Sequence, residues 1–208
     1  MAESNTNNVD NVSSAKGVKG GYIFTAPAGT AMPTEYKTAL PREWKCLGYL
    51  SEDGYVETLD TDSKDIKDMN GDLIASPQTS RVESAKLTFA EIKVATLKAM
   101  YGSDNVTDEG GVITVKHNGN SDETWPVVLE LVLKDGRRWR KVVPLAQSSE
   151  LDDLTLAVGE LAARAITVKY LTDENGNTCY DYIQSTETAT AKAAETAEGK
   201  AAETQEGK

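Results

Sequence analysis

The chain has 208 residues, of which 39% are hydrophobic, so it can form one domain with a core of modest size. A net charge of -11 argues against a protein that grips nucleic acid, because phosphate contacts need lysine and arginine. The sequence holds no apolar run of about 18 residues and no N-terminal signal pattern, so we expect a protein made and kept in a cytosol.

The first part of the chain predicts an arm followed by short strands. Residues 1–19 are polar and lack hydrophobic periodicity, which favours a flexible N-terminal arm. Residues 22–25 predict a first strand, and residues 43–50 alternate in polarity as a second strand does. Three prolines between them predict a loop over residues 26–42.

An acidic stretch follows over residues 46–76. It contains eight acidic residues and two lysines, so its charge of -6 is more than half of the chain's -11. Residues 51–54 are a turn signal, and residues 55–59 can continue as the second strand of a hairpin. Apolar residues are scarce from Leu59 to Leu73, and we therefore predict a long solvated loop over residues 51–77. Such a loop needs a covering surface, and the rest of the subunit offers no obvious one.

Calcium is the first explanation to test for this loop, because Asp60 and Asp62 begin like an EF-hand. Lys64 and Asp65 then stand where an oxygen ligand and a glycine are required, and Gly71 stands where the closing glutamate should be. A second run beginning at Asp173 fails in the same way. We therefore predict no metal site and no cofactor.

The centre of the chain predicts one more strand and one helix. Residues 78–89 alternate in polarity and predict a strand. Residues 90–101 have an amphipathic pattern, with an apolar stripe that includes Ile92, Ala95 and Ala99, and Gly102 occupies the usual C-cap position. We expect this helix to lie across the β core.

The second half predicts hairpins. A strand is expected at 112–117, and Asp135-Gly136 between two alternating runs predicts a tight hairpin whose second strand ends at Pro144. Residues 147–153 predict a loop, residues 154–163 fit either helix or strand, and residues 165–171 and 179–183 predict the last strands.

The tight hairpin carries a basic cluster in an otherwise acidic chain. In a single subunit it predicts a solvated turn with weak ion pairs, whereas between copies it offers a complement for the acidic stretch. The possible complementary cluster consists of Lys134, Arg137, Arg138, Arg140 and Lys141.

Residues 185–208 form a low-complexity tail. An eight-residue unit at 193–200 recurs almost unchanged at 201–208 and contains no large apolar side chain. Such a segment buries too little surface to fold alone, so we expect a solvated tail, with a helix formed against a partner as the alternative.

No arrangement of residues predicts an active site. The single histidine, His117, has no partner marked by the local sequence, and Cys46 and Cys179 are expected to be free thiols. We therefore predict a protein that is not an enzyme. Tryptophans on strands keep one alternative open, a carbohydrate- or protein-binding β-sandwich module, although such tryptophans are more often core.

Five stretches together resemble the major tail (tail tube) proteins of long-tailed, non-contractile bacteriophages. The resemblance covers about residues 20–184, in the order found in that family. The stretches are LGYLSEDG at 47–54, TLDTDSKDIKD at 58–68, QTS at 78–80, LKAMYGSDNV at 97–106 and NTCYDYI at 177–183.

The resemblance implies a mainly β (α+β) fold, a β-sandwich or partial barrel over 20–184 with one flanking helix. It also implies hexameric rings, in which strands of six subunits close one barrel, stacked into a virion tail tube. By the same resemblance, the genome is expected to pass through this tube without specific binding, and the expected partners are other copies, a tape measure protein, and terminator and tip proteins. The alternative binding module would be displayed on the virion. The resemblance makes loop 51–77 the inter-subunit or inter-ring arm, with contacts expected at Glu52, Asp53, Tyr55, Leu59, Asp60, Asp62, Asp65, Ile66, Asp68, Met69 and Asp72.

Overall fold

The computed structural model describes residues 7–118 and 122–186. The first six residues and most of the low-complexity tail, residues 187–208, lie outside the described residues, as do residues 119–121. The strands are β1 (Ala15–Gly17), β2 (Ile23–Thr25), β3 (Lys45–Cys46), β4 (Leu50–Ser63), β5 (Ile66–Lys67), β6 (Leu73–Ala75), β7 (Gln78–Phe89), β8 (Val106–Glu109), β9 (Val112–Val115), β10 (Thr124–Leu133), β11 (Arg138–Leu151), β12 (Arg164–Tyr170) and β13 (Tyr180–Ile183). The helix α1 spans Val94–Tyr101, and 3-10 turns lie at Val9–Asn11 and Ser103–Asn105.

Nine of the strands form one antiparallel sheet in the order β3-β2-β10-β11-β12-β7-β4. β1 adds to the edge of β10, and β13 adds to the edge of β11. The path ends on two different strands, so the sheet of the described residues is open. The expected mainly β fold with one helix is confirmed, and the barrel that the resemblance implies is not closed within one subunit.

The core lies on both faces of β10 and β11. On one face a large cluster joins residues of five strands and α1, including Ile23, Leu87 and Ile166, so the sheet curls around it. On the other face Val128 and Val142 pack with Ala26 and Trp44 from the segment around the proline-rich loop. This double burial explains the continuous apolar run of β10.

The tight hairpin is confirmed, but its second strand is longer than predicted. Gly136 has φ 87° and turns β10 into β11, as Asp-Gly predicts. β11 continues past Pro144 to Leu151, because the pairing shifts at that point and the proline lies where no ladder donor is needed. The loop predicted at 147–153 is therefore wrong for most of its length.

The helix is confirmed, with a later start and a different buried face. It begins at Val94 rather than at residue 90, and the Gly102 N–H bonds to the Lys98 carbonyl as expected. The buried residues are Thr96, Ala99 and Met100, whereas Ile92 precedes the helix and is 68% exposed. The Thr96 hydroxyl is satisfied by the Leu47 carbonyl at 2.8 Å, which lets a polar residue face the core.

Two sequence-based boundaries are wrong. The arm expected over residues 1–19 includes β1, which pairs antiparallel with residues 131–133 of β10. The Val18 N–H continues this pairing with a bond to the Glu130 carbonyl. The strand expected at 43–50 is reduced to the two residues of β3. Gly48, with φ 97°, ends the extended run before β4 begins.

The solvated loop predicted over residues 51–77 is also wrong. Its first half belongs to β4, which pairs antiparallel with β7 from Tyr55 to Ser63. The strand period was hidden because both faces of this segment are mostly polar. Among the described residues, no helix has the length and apolar character needed to span a membrane.

Candidate functional site

The acidic stretch forms a hairpin that projects from the sheet. β7 has 12 residues, so at about 3.4 Å per residue the hairpin extends roughly 37 Å from Phe89 to Gln78. Near Phe89 both strands contribute to the core, whereas every residue from Val56 to Ser63 is exposed. We call residues 50–89 the acidic hairpin, residues 64–77 its tip, and the end near Tyr55 its root.

The tip is a small structure in its own right. β5 and β6 pair there, and the Asp68 carboxylate accepts the Asn70 and Asp72 N–H groups at 2.9 and 2.8 Å. Backbone hydrogen bonds, first that from Asp72, lower the pKa of Asp68. This carboxylate therefore shapes the turn rather than holding a metal. Within the described ranges, no group of three or more His, Cys, Asp or Glu residues is arranged to hold a metal ion.

The predicted contact residues of the tip are all on the surface. Met69 is fully exposed, and Leu73 and Ile74 are 58% and 65% exposed. Asp62 and Asp65 accept hydrogen bonds from Ser80 and Ser76, as expected of hairpin carboxylates that stay solvated. The remaining predicted contacts Glu52, Asp53, Leu59, Asp60, Ile66 and Asp72 are exposed as well.

Tyr55 is the exception, because it belongs to a polar network at the root. Its hydroxyl donates to Glu57 Oε2 at 2.6 Å and is hydrogen-bonded to the Tyr170 hydroxyl. Lys141 Nζ pairs with Glu57 at 2.8 Å and with Asp181 at 3.1 Å, and its side chain is only 7% exposed. The network joins β4 to β11, β12 and β13.

The pKa values of this network follow from burial and pairing. Burial is the largest single influence on Glu57 and raises its pKa, but hydrogen bonds from Lys141 and Tyr55 outweigh burial, so the net pKa is lowered. Burial lowers the pKa of Lys141, yet the bond to Glu57 and the nearby acidic groups raise it overall. Burial raises the pKa of the free Cys179 thiol to about 11, which keeps that thiol protonated.

The structure disperses the predicted basic cluster. Arg140 is 3% exposed, pairs with Glu130 at 2.5 Å and donates to two carbonyls of the proline-rich loop. Arg138 pairs with the same glutamate at 3.4 Å, and Arg137 pairs with Asp135 at 2.6 Å. Of the five residues only Lys134 is classed as exposed, so the cluster's role toward another copy stays a prediction that rests mainly on this lysine.

The tryptophans form no exposed platform. Trp44 and Trp125 are 5% and 8% exposed and belong to the two core clusters. The third, Trp139, is half-buried and donates its indole N–H to Asp181 at 2.7 Å. This arrangement favours no carbohydrate-binding function.

Residues 6–195 match the family described as phage tail tube protein. The match extends over most of the chain. The chain belongs to the phage tail tube protein family. Its role is therefore structural, as a component of the virion tail tube.

Three solved structures from contractile systems also match this chain. One matched chain belongs to the anti-feeding prophage tube terminating cap, with TM-score 0.43 and 11% identity, and the match covers 80% of this chain and 91% of that chain. Another belongs to the sheath-tube complex of the PVC extracellular contractile injection system in its extended state, with TM-score 0.40 and 11% identity, and the match covers 80% of this chain and 92% of that chain. The sheath/tube terminator of the same injection system gives TM-score 0.34 and 10% identity over 81% and 96%. The search of curated proteins finds no match.

Sequence reasoning missed the root of the acidic hairpin as a structural unit. Glu57 and Asp181 are far apart in the chain and meet only because β4 and β13 both lie near Lys141. The alternation of Tyr55, Glu57 and Leu59 was the available signal. It marks a strand that faces the subunit at its start and solvent further on.

Proposed function

We propose that this tail tube protein closes into hexameric rings that stack into a tube through which the phage genome passes. The observation that carries the proposal is the acidic hairpin, a projection with exposed apolar side chains at its tip in a member of the tail tube family. Exposed apolar patches of this kind mark interaction surfaces. A hairpin of this length, which its own core does not cover, fits an arm that contacts another copy.

The open sheet supports association by its edges. β4 is the last strand of the sheet, and within the described residues its outer edge has no strand partner. Exposed edges of long strands are templates for pairing, and ring closure removes them. In the proposed ring, strands of six copies form one continuous barrel.

The charge of the chain suits a conduit for DNA. Six copies of a subunit with net charge -11 surround the proposed lumen, and negative walls repel phosphate. The DNA therefore passes without specific binding. The further partners we propose are a tape measure protein, a terminator and tip proteins, in a long, non-contractile tail whose subunits are made in the bacterial cytoplasm.

Native mass spectrometry and negative-stain electron microscopy of the purified full chain test this proposal. Hexamers, rings or hollow tubes are expected, either spontaneously at high concentration or after seeding with a tail initiation complex. A strictly monomeric protein under all these conditions, including seeding, overturns it.

A further inference from the structure

A cleft with lysines at its rim lies between α1 and the segment around β2 and β3. One part, of about 370 Å³, is lined by Ala26, Trp125, Ala95 and other residues that include Lys45 and Lys98. An adjoining part of about 550 Å³ shares Lys45, Ala95 and Lys98 and adds Lys93. We call the two parts together the lysine cleft. Its floor is apolar, and its rim is basic.

The cations of the lysine cleft are available to an outside partner. Within the described part of the chain, neither Lys45 nor Lys98 forms an ion pair, and Lys45 is exposed. Lys93 is partly neutralised by Glu91 at 3.1 Å. The one carboxylate in the lining, that of Glu123, already accepts two hydrogen bonds from Ser103, at 2.7 and 2.6 Å.

The tip of the acidic hairpin has the opposite pattern. Exposed Met69, Leu73 and Ile74 supply an apolar surface, and acidic residues flank it. The carboxylates of Asp72, in the tip, and of Asp60, on β4 four residues before the tip, have no hydrogen bond or ion pair within the described residues, so both are available to cations. Complementary charge around an apolar centre is the usual arrangement of a specific interface.

The tip cannot reach the lysine cleft of its own subunit. β3 and the root of the hairpin are neighbours, because the Leu47 N–H bonds to Ile23 and the Ala90 N–H bonds to Tyr49. The tip lies about 37 Å from Phe89 along this hairpin, whose strands pair from Tyr55 to Ser63. A contact between the two surfaces therefore joins different copies.

We propose that the lysine cleft is the receptor for the tip of the acidic hairpin of a second copy of this chain. The inference rests on the proposed assembly and names the surface to which the arm binds. It also gives the contact a head-to-tail character, since the two surfaces differ, and such contacts generate rings or open stacks. The buried Arg140 and Lys141 of the basic cluster are not required.

Charge reversal with compensation tests the proposal. Lys45→Glu with Lys98→Glu, or Asp60→Lys with Asp72→Lys, should each raise the concentration needed for tubes at least about tenfold, because like charges then face each other. A chain with all four substitutions should recover most of the lost assembly, because opposite charges face each other again. The matched control is Lys19→Glu with Lys116→Glu, which changes the charge equally at exposed positions outside the cleft and outside the basic cluster and should assemble almost normally.

The readouts are tube density by electron microscopy and sedimentation, with circular dichroism to show that each variant is folded. Unchanged assembly of both reversed pairs, failure of the fourfold variant to recover, or an equal loss in the control each overturns the inference. Wild-type chain that forms no assemblies at all would instead overturn the proposed function.

Carbodiimide cross-linking gives a second, direct measurement on wild-type tubes built from mixed light and heavy nitrogen subunits. Mixed-isotope peptides that join Lys45 or Lys98 to Asp60 or Asp72 are expected. Cross-links from these lysines only to the acidic tail at 187–208 would identify a different occupant and overturn the proposal.

Discussion

At the scale of single residues, Lys141 is the best example of a charge whose role was misjudged from sequence. Its position in a basic cluster suggested a surface cation, but its side chain is 7% exposed and bonded to Glu57 and Asp181. The acidic partners come from strands that are distant in the chain, so local sequence gives no sign of the pairing. Burying such a cation is tolerated only because it is paired.

Removing this cation should destabilise the subunit. For Lys141→Met we expect a loss of about 2 kcal/mol in the free energy of unfolding, because two carboxylates at the root lose their partner. Urea unfolding followed by tryptophan fluorescence measures the change. Lys169→Met, on the exposed side of β12, is the control and should cost little. Equal stability of the two variants would contradict a structural role for the network.

The pH dependence follows from the lowered pKa of Glu57. A carboxyl whose pKa is lower when folded stabilises the protein above its unfolded value, near the ordinary 4.5, and this contribution disappears as the pH falls through the folded value. We expect unfolding free energy to decline below about pH 4.5, and Glu57→Gln to be less stable at pH 7 but to decline less steeply. Urea unfolding of both proteins at pH 7 and below about pH 4.5 measures how steeply the free energy of unfolding of each falls with pH. Identical slopes for the two proteins would show that Glu57 is not responsible.

At the scale of elements, strands were predicted correctly where at least one face is apolar, as in β7, β10 and β12. Of β4, only residues 55–59 were predicted as a strand, because the residues from Asp60 to Ser63 show no apolar alternation on either face. Its order comes from pairing with β7 over its length, which is a long-range property. The contact role of the tip stays a prediction, whereas the lysine cleft depends on the placement of α1 and had no sequence signal.

Shortening the acidic hairpin separates folding from assembly. Replacing residues 64–77 by Asn-Gly should leave the subunit folded, because this dipeptide favours a tight turn and the replaced residues lie outside both core clusters. Tubes should be absent or at least about tenfold less abundant, since the tip is the proposed arm. Thermal unfolding and electron microscopy give the two readouts. Normal tubes from this variant would exclude the tip as an essential contact.

At the scale of the whole molecule, a second acidic segment competes with the tip as a partner for the lysine cleft. Residues 187–208 carry five glutamates and three lysines, a net charge of -2, against five aspartates and two lysines from Asp60 to Asp72, a net charge of -3 in fewer residues. The tail also contains no large apolar side chain, so it cannot fill the apolar floor of the cleft.

We therefore expect deletion of residues 187–208 to leave subunit stability unchanged and the concentration needed for tubes within about twofold of wild type, as polar tails contribute little to either. Sedimentation and electron microscopy of the shortened chain, with a chain ending at residue 195 as the control that keeps the full family match, measure this. Loss of tubes on deletion, together with normal assembly of the variant with the shortened hairpin, would assign the contact to the tail instead of the tip.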